Sequence, residues 1–470
     1  MFHSEMSAEE IRDALLYAKE EKNILFLGIC GMGMSALARM LLREGYRVVG
    51  YDAADSGEYA RLISDGIAVF HTVESIDLSC VALTVYSLAI PEEHPLLKAR
   101  APRCSRAQLL GALMLSYPVR IAVAGAHGKS TVTSLLHRTL LALGESPTTL
   151  SGADLGDGSG PLHIGQGRIF LYECCEYKNS FLYTYPTHAL FLNIDLDHTD
   201  FFRSEKELSE AFLAFGAQCE RVIYFASDEG LARIAHRLPK HAIPYHFFDT
   251  PPAKIDTGVC FGVKESQNQD KITYSLYQNG SKRLTLTPRI GGRVGVYNTL
   301  AALCLLSSLG YDTERCAHIL TALSPIARRM EHIGMLAHRP IYYDFAHHPT
   351  EIFATLTALT ERYGGAVTAI FAPHTYSRTR DLWDGFVAAL SLASEVYLCD
   401  IYPAREAPIS GITSEHLARA IGESARPISQ LLIRPETLLS GDGPIVLMGA
   451  GDLCEIKGAI EALDGFVPTV

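Results

Sequence analysis

Short apolar runs recur along the chain, each followed by glycines or polar residues and then by helix formers. Residues 24–27 (ILFL) are the first such run and enter GICGMGMSALARMLL, where glycines give way to Ala, Leu and Met. Residues 48–51 and 81–86 repeat the pattern. Apolar runs bounded by turn residues predict strands buried on both faces, and their alternation with helical stretches predicts a parallel α/β sheet.

The same grammar restarts at 119–124. A Gly125–Thr131 turn follows, then helical composition over 132–143, then further apolar runs at 169–172 and 189–194. Residues 272–277 and 284–287 flank Asn279 and Gly280, which predicts a hairpin with a connection somewhat longer than two residues. From about Pro325 a third set begins. Residues 367–371, 396–398 and 445–448 lead into APHTYSRTR, CDIYPARE and GAGD. If those strands are parallel neighbours, their turns, including Gly449, Gly451 and Asp452, converge on one mouth, because ligands bind at the carboxyl ends of such strands. Three segments result, 1–117, 118–324 and 325–470, with hinges expected near 118 and 325.

Composition agrees with several packed domains. The 470 residues are 48% hydrophobic and 20% charged, enough for sizeable cores and too long for one. The net charge of −11 argues against a nucleic-acid-coating surface. The longest uncharged stretch near the N-terminus, 23–38, is shorter than the ~20 residues a membrane span needs, and Gly28, Gly31 and Gly33 interrupt it. The residues before it are charged and helical in pattern, which predicts no signal peptide and no membrane insertion. The 11 cysteines are scattered without a CxxC pair, as expected of a reduced, cytoplasmic protein.

Two glycine loops carry the candidate chemistry. In the first, Gly28, Gly31 and Gly33 lie between a predicted strand and helix, and Asp52 closes the next strand. Small residues let a backbone approach a diphosphate, and the helix N-terminus supplies free N–H groups. Cys30 stands where the dinucleotide fingerprint carries its second glycine, and a turn needing glycine only for packing is the alternative. The second loop, AVAGAHGKST, comprises Gly125, Ala126, His127, Gly128, Lys129, Ser130 and Thr131. Its backbone amides would cradle phosphates, Lys129 would meet the β/γ oxygens and Ser130 could ligate magnesium. One loop alone would suit a dehydrogenase, the other alone an NTPase. Together they predict two phosphorylated ligands, one of them ATP.

In family order, the strings GICGMGMSALA, GAHGKST, ECCEYKNSFL, NIDLDHTDFF, RRM, YYDFAHHPTEI, APHTYSRTRDL, DIYPAREAPI and GAGD resemble the Mur ligases, the ATP-dependent enzymes of peptidoglycan precursor synthesis. The resemblance covers nearly the whole chain. It implies an α/β fold of three domains: a Rossmann-like N-terminal domain for the UDP-substrate, a P-loop ATPase-like central domain, and a Rossmann-like C-terminal domain for the amino acid and closure. It implies ATP and Mg²⁺ as cofactors, UDP-N-acetylmuramate and L-alanine as substrates, and a monomer or weak homodimer. Ligation of a preformed peptide, as in recycling, and a non-ligating nucleotide-binding regulatory homologue are the alternatives.

Residue by residue, the resemblance implies that Gly28, Gly31, Gly33, Met34, Ser35, Asp52, His71, Ser87 and Arg106 hold the UDP portion. It implies that Gly125–Thr131, Asn298, Arg329 and Asp344 hold ATP, that Ser130 and Glu173 hold magnesium, and that His198 holds a second metal with Glu176 in support. Lys129, Glu173, His198, His348 and Arg380 are the implied catalytic set, with His347 and Arg378 in the same motifs. Cys30, Ala126, Lys178 and Thr375 depart from the common family strings. Val294 and Gly295 replace a His–Asn pair associated with adenine, which bears on base preference.

Overall fold

The computed structural model describes residues 6–19, 22–53, 57–98, 101–252, 260–404, 406–433, 438–439, 441–451 and 453–469. Its strands form three sheets, one in each third of the sequence.

The first sheet is all parallel, in the spatial order Ala68–Phe70, Arg47–Tyr51, Asn23–Leu27, Val81–Tyr86, Arg103–Ser105. Ile24, Leu25, Phe26 and Leu27 are fully buried, which is why the run is uninterruptedly apolar. The chain order reverses at Asn23–Leu27. The loops after that strand and after Val81–Tyr86 therefore part to leave a crevice.

The second sheet has ten strands. Its centre is Val119–Ala124, flanked in parallel by Ile169–Cys174 and His188–Phe191. Arg221–Phe225, Ile243–Phe248 and Cys260–Asn268 extend one side in parallel, and Lys271–Gln278 and Ser281–Leu286 add an antiparallel hairpin. Thr148–Leu150 and the antiparallel Leu162–His163 close the other edge. The hairpin differs from the expectation. Gln278 pairs with Ser281, so the connection is only Asn279 and Gly280, with φ of 52° and 73°. Two positive φ values match the strand twist, and the slack sits in a bulge between Leu276 and Tyr277 instead of in the loop. The apolar run 189–194 also leaves the sheet early. The strand stops at Phe191, and the rest becomes a loop.

In the third sheet Glu395–Leu398, Thr368–Ala372 and Ile445–Gly449 are parallel neighbours, as the convergence of their turns requires. Thr375 N donates to Tyr402 O at 2.8 Å, and Gly451 packs beside Tyr402. Asp452, expected in the same turn, lies outside the described residues. Arg339–Asp344 joins the parallel set, while Glu331–Leu336 and Phe466–Pro468 run antiparallel at one edge. The Arg339 side chain is fully buried. It is tolerated because its guanidinium donates to the carbonyls of Leu438 and Gly443, both at 2.9 Å, and to Thr368 Oγ1 at 2.7 Å.

The first and second sheets are joined through helix Arg106–Met114, which packs on the 3-10 segment Tyr177–Tyr183. A Cβ at Gly111 would overlap the Tyr183 carbonyl oxygen. Gly111→Ala should therefore destabilise the protein by about 1–3 kcal/mol. Gly458→Ala, at an exposed position of helix Cys454–Glu461 with nothing near the new methyl, should stabilise it by about 1 kcal/mol. Thermal unfolding of the two variants checks the contrast; equal shifts would contradict the packing.

Candidate functional site

Strand Val119–Ala124 ends at the central switch point, and the chain turns through Gly125 (φ 150°) and Gly128 (φ 83°) into helix Lys129–Ala142. Only glycine suits Gly128: φ is left-handed, and a Cβ would lie 2.8 Å from Asn298 Oδ1. The expected Asn298 therefore packs directly against the loop. Lys129 folds back so that its Nζ donates to the carbonyls of Gly125 and Ala126 and faces Glu176 at 3.4 Å. Burial alone would depress the ammonium. The Glu176 carboxylate overcomes it and holds the group above the ordinary lysine range.

Ser130 Oγ donates to Glu173 Oε2 at 3.0 Å, and that oxygen also accepts from Gly152 N at 2.7 Å and Ser151 Oγ at 3.2 Å. Arg329, from the third segment, reaches Ser130 Oγ at 3.3 Å. Ser130 and Glu173 are adjacent hard oxygen donors of the kind Mg²⁺ prefers, so the pair fits the expected metal. His198, expected to hold a second metal, approaches Glu176, the partner of Lys129. Its Nε2 is 4.0 Å from Glu176 Oε1 and its ring stands against Tyr177, with no described contact to Ser130 or Glu173.

The loop released after Phe191 meets the third segment through alternating charge. Asn193 clamps the phosphate loop, accepting from His127 N at 2.9 Å and donating to His127 O at 3.0 Å. The His127 imidazole lies between Asp195, at 2.8 Å, and Glu351, at 3.3 Å. Burial opposes its protonation, but the two carboxylates dominate and push it up to about 9. Asp195 also accepts from Thr350 Oγ1 at 2.6 Å. Asp197 receives the Arg378 guanidinium on both oxygens, at 2.9 and 3.2 Å. Burial would raise its pKa; Arg378 instead holds it far below the usual carboxylate range. Beside this pair a cleft of about 560 Å³ is lined by residues of both segments, among them Tyr177, His198, His374, Arg378 and Glu406.

In the first segment, Gly31 caps helix Met32–Arg43, and Gly33 lies against the Arg106 side chain. Gly28, with φ of 79°, packs on Ser87. Asp52 braces this loop by accepting from Cys30 N at 2.9 Å, and His71 meets the Asp52 carbonyl at 2.8 Å. Met34 and Ser35 are buried, Met34 in the hydrophobic core and Ser35 with its Oγ donating to Met32 O at 3.0 Å.

The structure thus gathers Lys129, Ser130, Glu173, Arg329 and Asn298 in one place, and Gly28, Gly33, Ser87, Asp52, His71 and Arg106 in another. Asp344 is buried, accepts from Met330 N and Ala346 N, and is pushed up to about 6 chiefly by burial. His348 caps its own helix and contacts Leu196 O. Arg380 is 52% exposed and pairs with Asp381; Arg378, two residues earlier, reaches the cleft instead. Asp195, Asp197, Glu351 and Thr350 were given no role by sequence reasoning, though all four lie inside the quoted strings. Val294 is exposed, and Gly295 is so tightly set against the Ile290 carbonyl that no larger residue fits without a shift.

Three family models match: "Mur ligase family, catalytic domain" over residues 23–118, "Mur ligase middle domain" over 123–306, and "Mur ligase, glutamate ligase domain" over 328–451. A UDP-N-acetylmuramate–L-alanine ligase of Clostridium beijerinckii is 32% identical over 453 residues, covering 92% of this chain and 96% of that protein. One of Agathobacter rectalis is 34% identical with the same coverage. Among solved structures, the UDP-N-acetylmuramate-alanine ligase of Thermotoga maritima superposes with a TM-score of 0.73 at 24% identity, covering 93% of this chain and 98% of that one. A murein peptide ligase of Psychrobacter arcticus gives 0.67 at 21%, covering 94% and 99%.

Lys129→Ala should weaken ATP binding at least ~10-fold, about 1.4 kcal/mol, and leave UDP-sugar binding unchanged; calorimetry on the full chain with each ligand checks the separation. His127 gives a signed pH effect. Its raised pKa contributes stability that is fully present below the unfolded value of about 6.5 and is lost as pH rises through about 9. Wild type should lose up to about 3 kcal/mol across that window relative to His127→Gln. Parallel pH profiles of the two proteins in thermal unfolding would contradict the assignment.

Proposed function

This chain is a member of the Mur ligase family, and we propose that it joins L-alanine to UDP-N-acetylmuramate with cleavage of ATP to ADP and phosphate. The observation that carries this reading is the stretch 176–183. Glu176 holds the phosphate-loop lysine and Tyr177 lines the cleft between central and third segments. Tyr183 supports the helix whose first residue is Arg106. One short piece of chain therefore meets the phosphate loop, the cleft and the helix that Arg106 begins.

The chemistry needs that proximity. A carboxylate is a poor electrophile, so its oxygen attacks the γ-phosphorus and ADP departs. The amine then attacks the acyl phosphate carbon, and phosphate leaves. The first-segment crevice, with Arg106 beside the glycine loop, would hold the UDP diphosphate and aim the muramyl carboxylate at the phosphate loop. Lys129 would leave the Gly125 and Ala126 carbonyls to meet the β/γ oxygens, and Arg329 would approach from the opposite segment. Ser130 and Glu173 would hold Mg²⁺, which screens phosphate charge when bound. In the cleft, Arg378 suits the amino-acid carboxylate, and the acids around it suit its ammonium. The domain division 1–117, 118–324 and 325–470 and a cytoplasmic location belong to the same reading; among the described residues no helix is long and apolar enough to cross a membrane.

Phosphate release with UDP-N-acetylmuramate, ATP and Mg²⁺ should depend on L-alanine, with glycine and L-serine weaker and a tripeptide inactive. Mass spectrometry of the product should show one added alanyl residue. Preferential use of the tripeptide would replace this reading with a recycling ligase, and ATP binding without any amide product would replace it with a regulatory homologue.

A further inference from the structure

Away from the phosphate loop, three polar side chains converge from three elements on a partly buried spot of the second segment. His137 lies on helix Lys129–Ala142 and has no exposed surface. Asp157 lies in the turn between Gly156 and Gly160, three of whose glycines have positive φ. His163 lies on the edge strand Leu162–His163. His137 Nε2 is 2.9 Å and His163 Nδ1 3.3 Å from the same oxygen, Asp157 Oδ2. The two rings are 4.9 Å apart.

We propose that His137, Asp157 and His163 form a binding site for one divalent transition-metal ion, of the zinc or cobalt class. The three ligand atoms lie within 4.8 Å of one another, and the two nitrogen–oxygen separations are close to the edge of a tetrahedron with metal–ligand bonds of about 2.0–2.1 Å. Two imidazoles and a carboxylate select this class over Mg²⁺, which takes oxygen ligands.

The outer contacts are those of a held ligand set. Thr149 Oγ1 lies 2.9 Å from His137 Nδ1, so the far ring nitrogen has its own partner and the ring is fixed. Ser159 occupies Asp157 Oδ1 with its backbone N–H and its hydroxyl, which turns Oδ2 toward the imidazoles. Thr149 pairs with His163 across the edge bridge, which seats the second ring beside the first. A divalent cation would satisfy both imidazoles and the carboxylate together. The side chains of Asp157 and His163 are 17% and 26% exposed, which leaves a side open to a water ligand.

The site would also bear on the phosphate loop. Its helix is the one that begins with Lys129. The turn carrying Asp157 continues from Ser151 and Gly152, which hold Glu173. A bound ion would tie the two together at their far ends.

The test is Co²⁺ titration of the full chain after treatment with EDTA, followed by visible absorption and thermal unfolding. Wild type should bind one equivalent, show d–d bands without a thiolate charge-transfer band, and unfold at a higher temperature with the ion. Asp157→Asn and His163→Ala, confirmed folded by circular dichroism, should weaken binding at least ~10-fold and lose the thermal shift, while His348→Ala keeps both. His348 belongs to the other described cluster with suitable geometry, His127, Asp195 and His348. No d–d bands in wild type would mean a purely hydrogen-bonded network and overturn the proposal. Bands that survive His163→Ala, vanish in His348→Ala or carry thiolate character would overturn it as well.

Discussion

A lysine ammonium held out of water beside a carboxylate is the interaction around which this molecule is arranged. Lys129 begins a helix at the switch point of the central sheet, and Glu176 waits at the end of the neighbouring strand's loop. Neither charge would be stable there alone, since an isolated buried ion costs several kcal/mol. Paired, they keep the ammonium protonated and pre-placed at a loop built to receive phosphates. The carbonyls of Gly125 and Ala126 share the charge meanwhile. An incoming polyphosphate exchanges those weak acceptors for stronger ones, so the resting contacts define the loop without blocking it.

The second requirement is that a reaction among anions be assembled from separate domains. Here the third and central segments attach through charges and hydroxyls exchanged in both directions: Arg378 on Asp197, Thr350 on Asp195, and the central His127 shared between Asp195 and the third segment's Glu351. Each pairing is directional and partly buried, and each is weakened when one partner changes charge. A docking surface of this type can open to admit substrates and close on them, whereas an apolar interface of the same extent would resist opening.

The parallel sheets were legible because strands buried on both faces must be continuously apolar, as in residues 24–27 and 445–448. The two glycine loops were legible because positive φ and close approach leave little choice of residue at Gly28 and Gly128. The hairpin was visible in Asn279–Gly280, but its length was not, since the bulge that absorbs the extra residue carries no local signal. The acids of the interface were harder. Asp195 and Asp197 sit in a string already singled out for His198, and only the tertiary arrangement shows that Thr350 and Arg378 reach them from 150 or more positions away. The same limit applies to Arg378 and Arg380: the sequence offers two arginines in one turn, and the helical phase decides which one faces the cleft.

The central claim is that the muramyl carboxylate is activated by phosphoryl transfer where these loops meet. It is tested most directly with UDP-N-acetylmuramate labelled with ¹⁸O in both carboxylate oxygens, turned over with ATP and L-alanine. If the carboxylate attacks the γ-phosphorus, each phosphate released carries one ¹⁸O and the amide retains the other. Phosphate free of label, with the oxygen lost on amide formation recovered in water instead, would contradict the account.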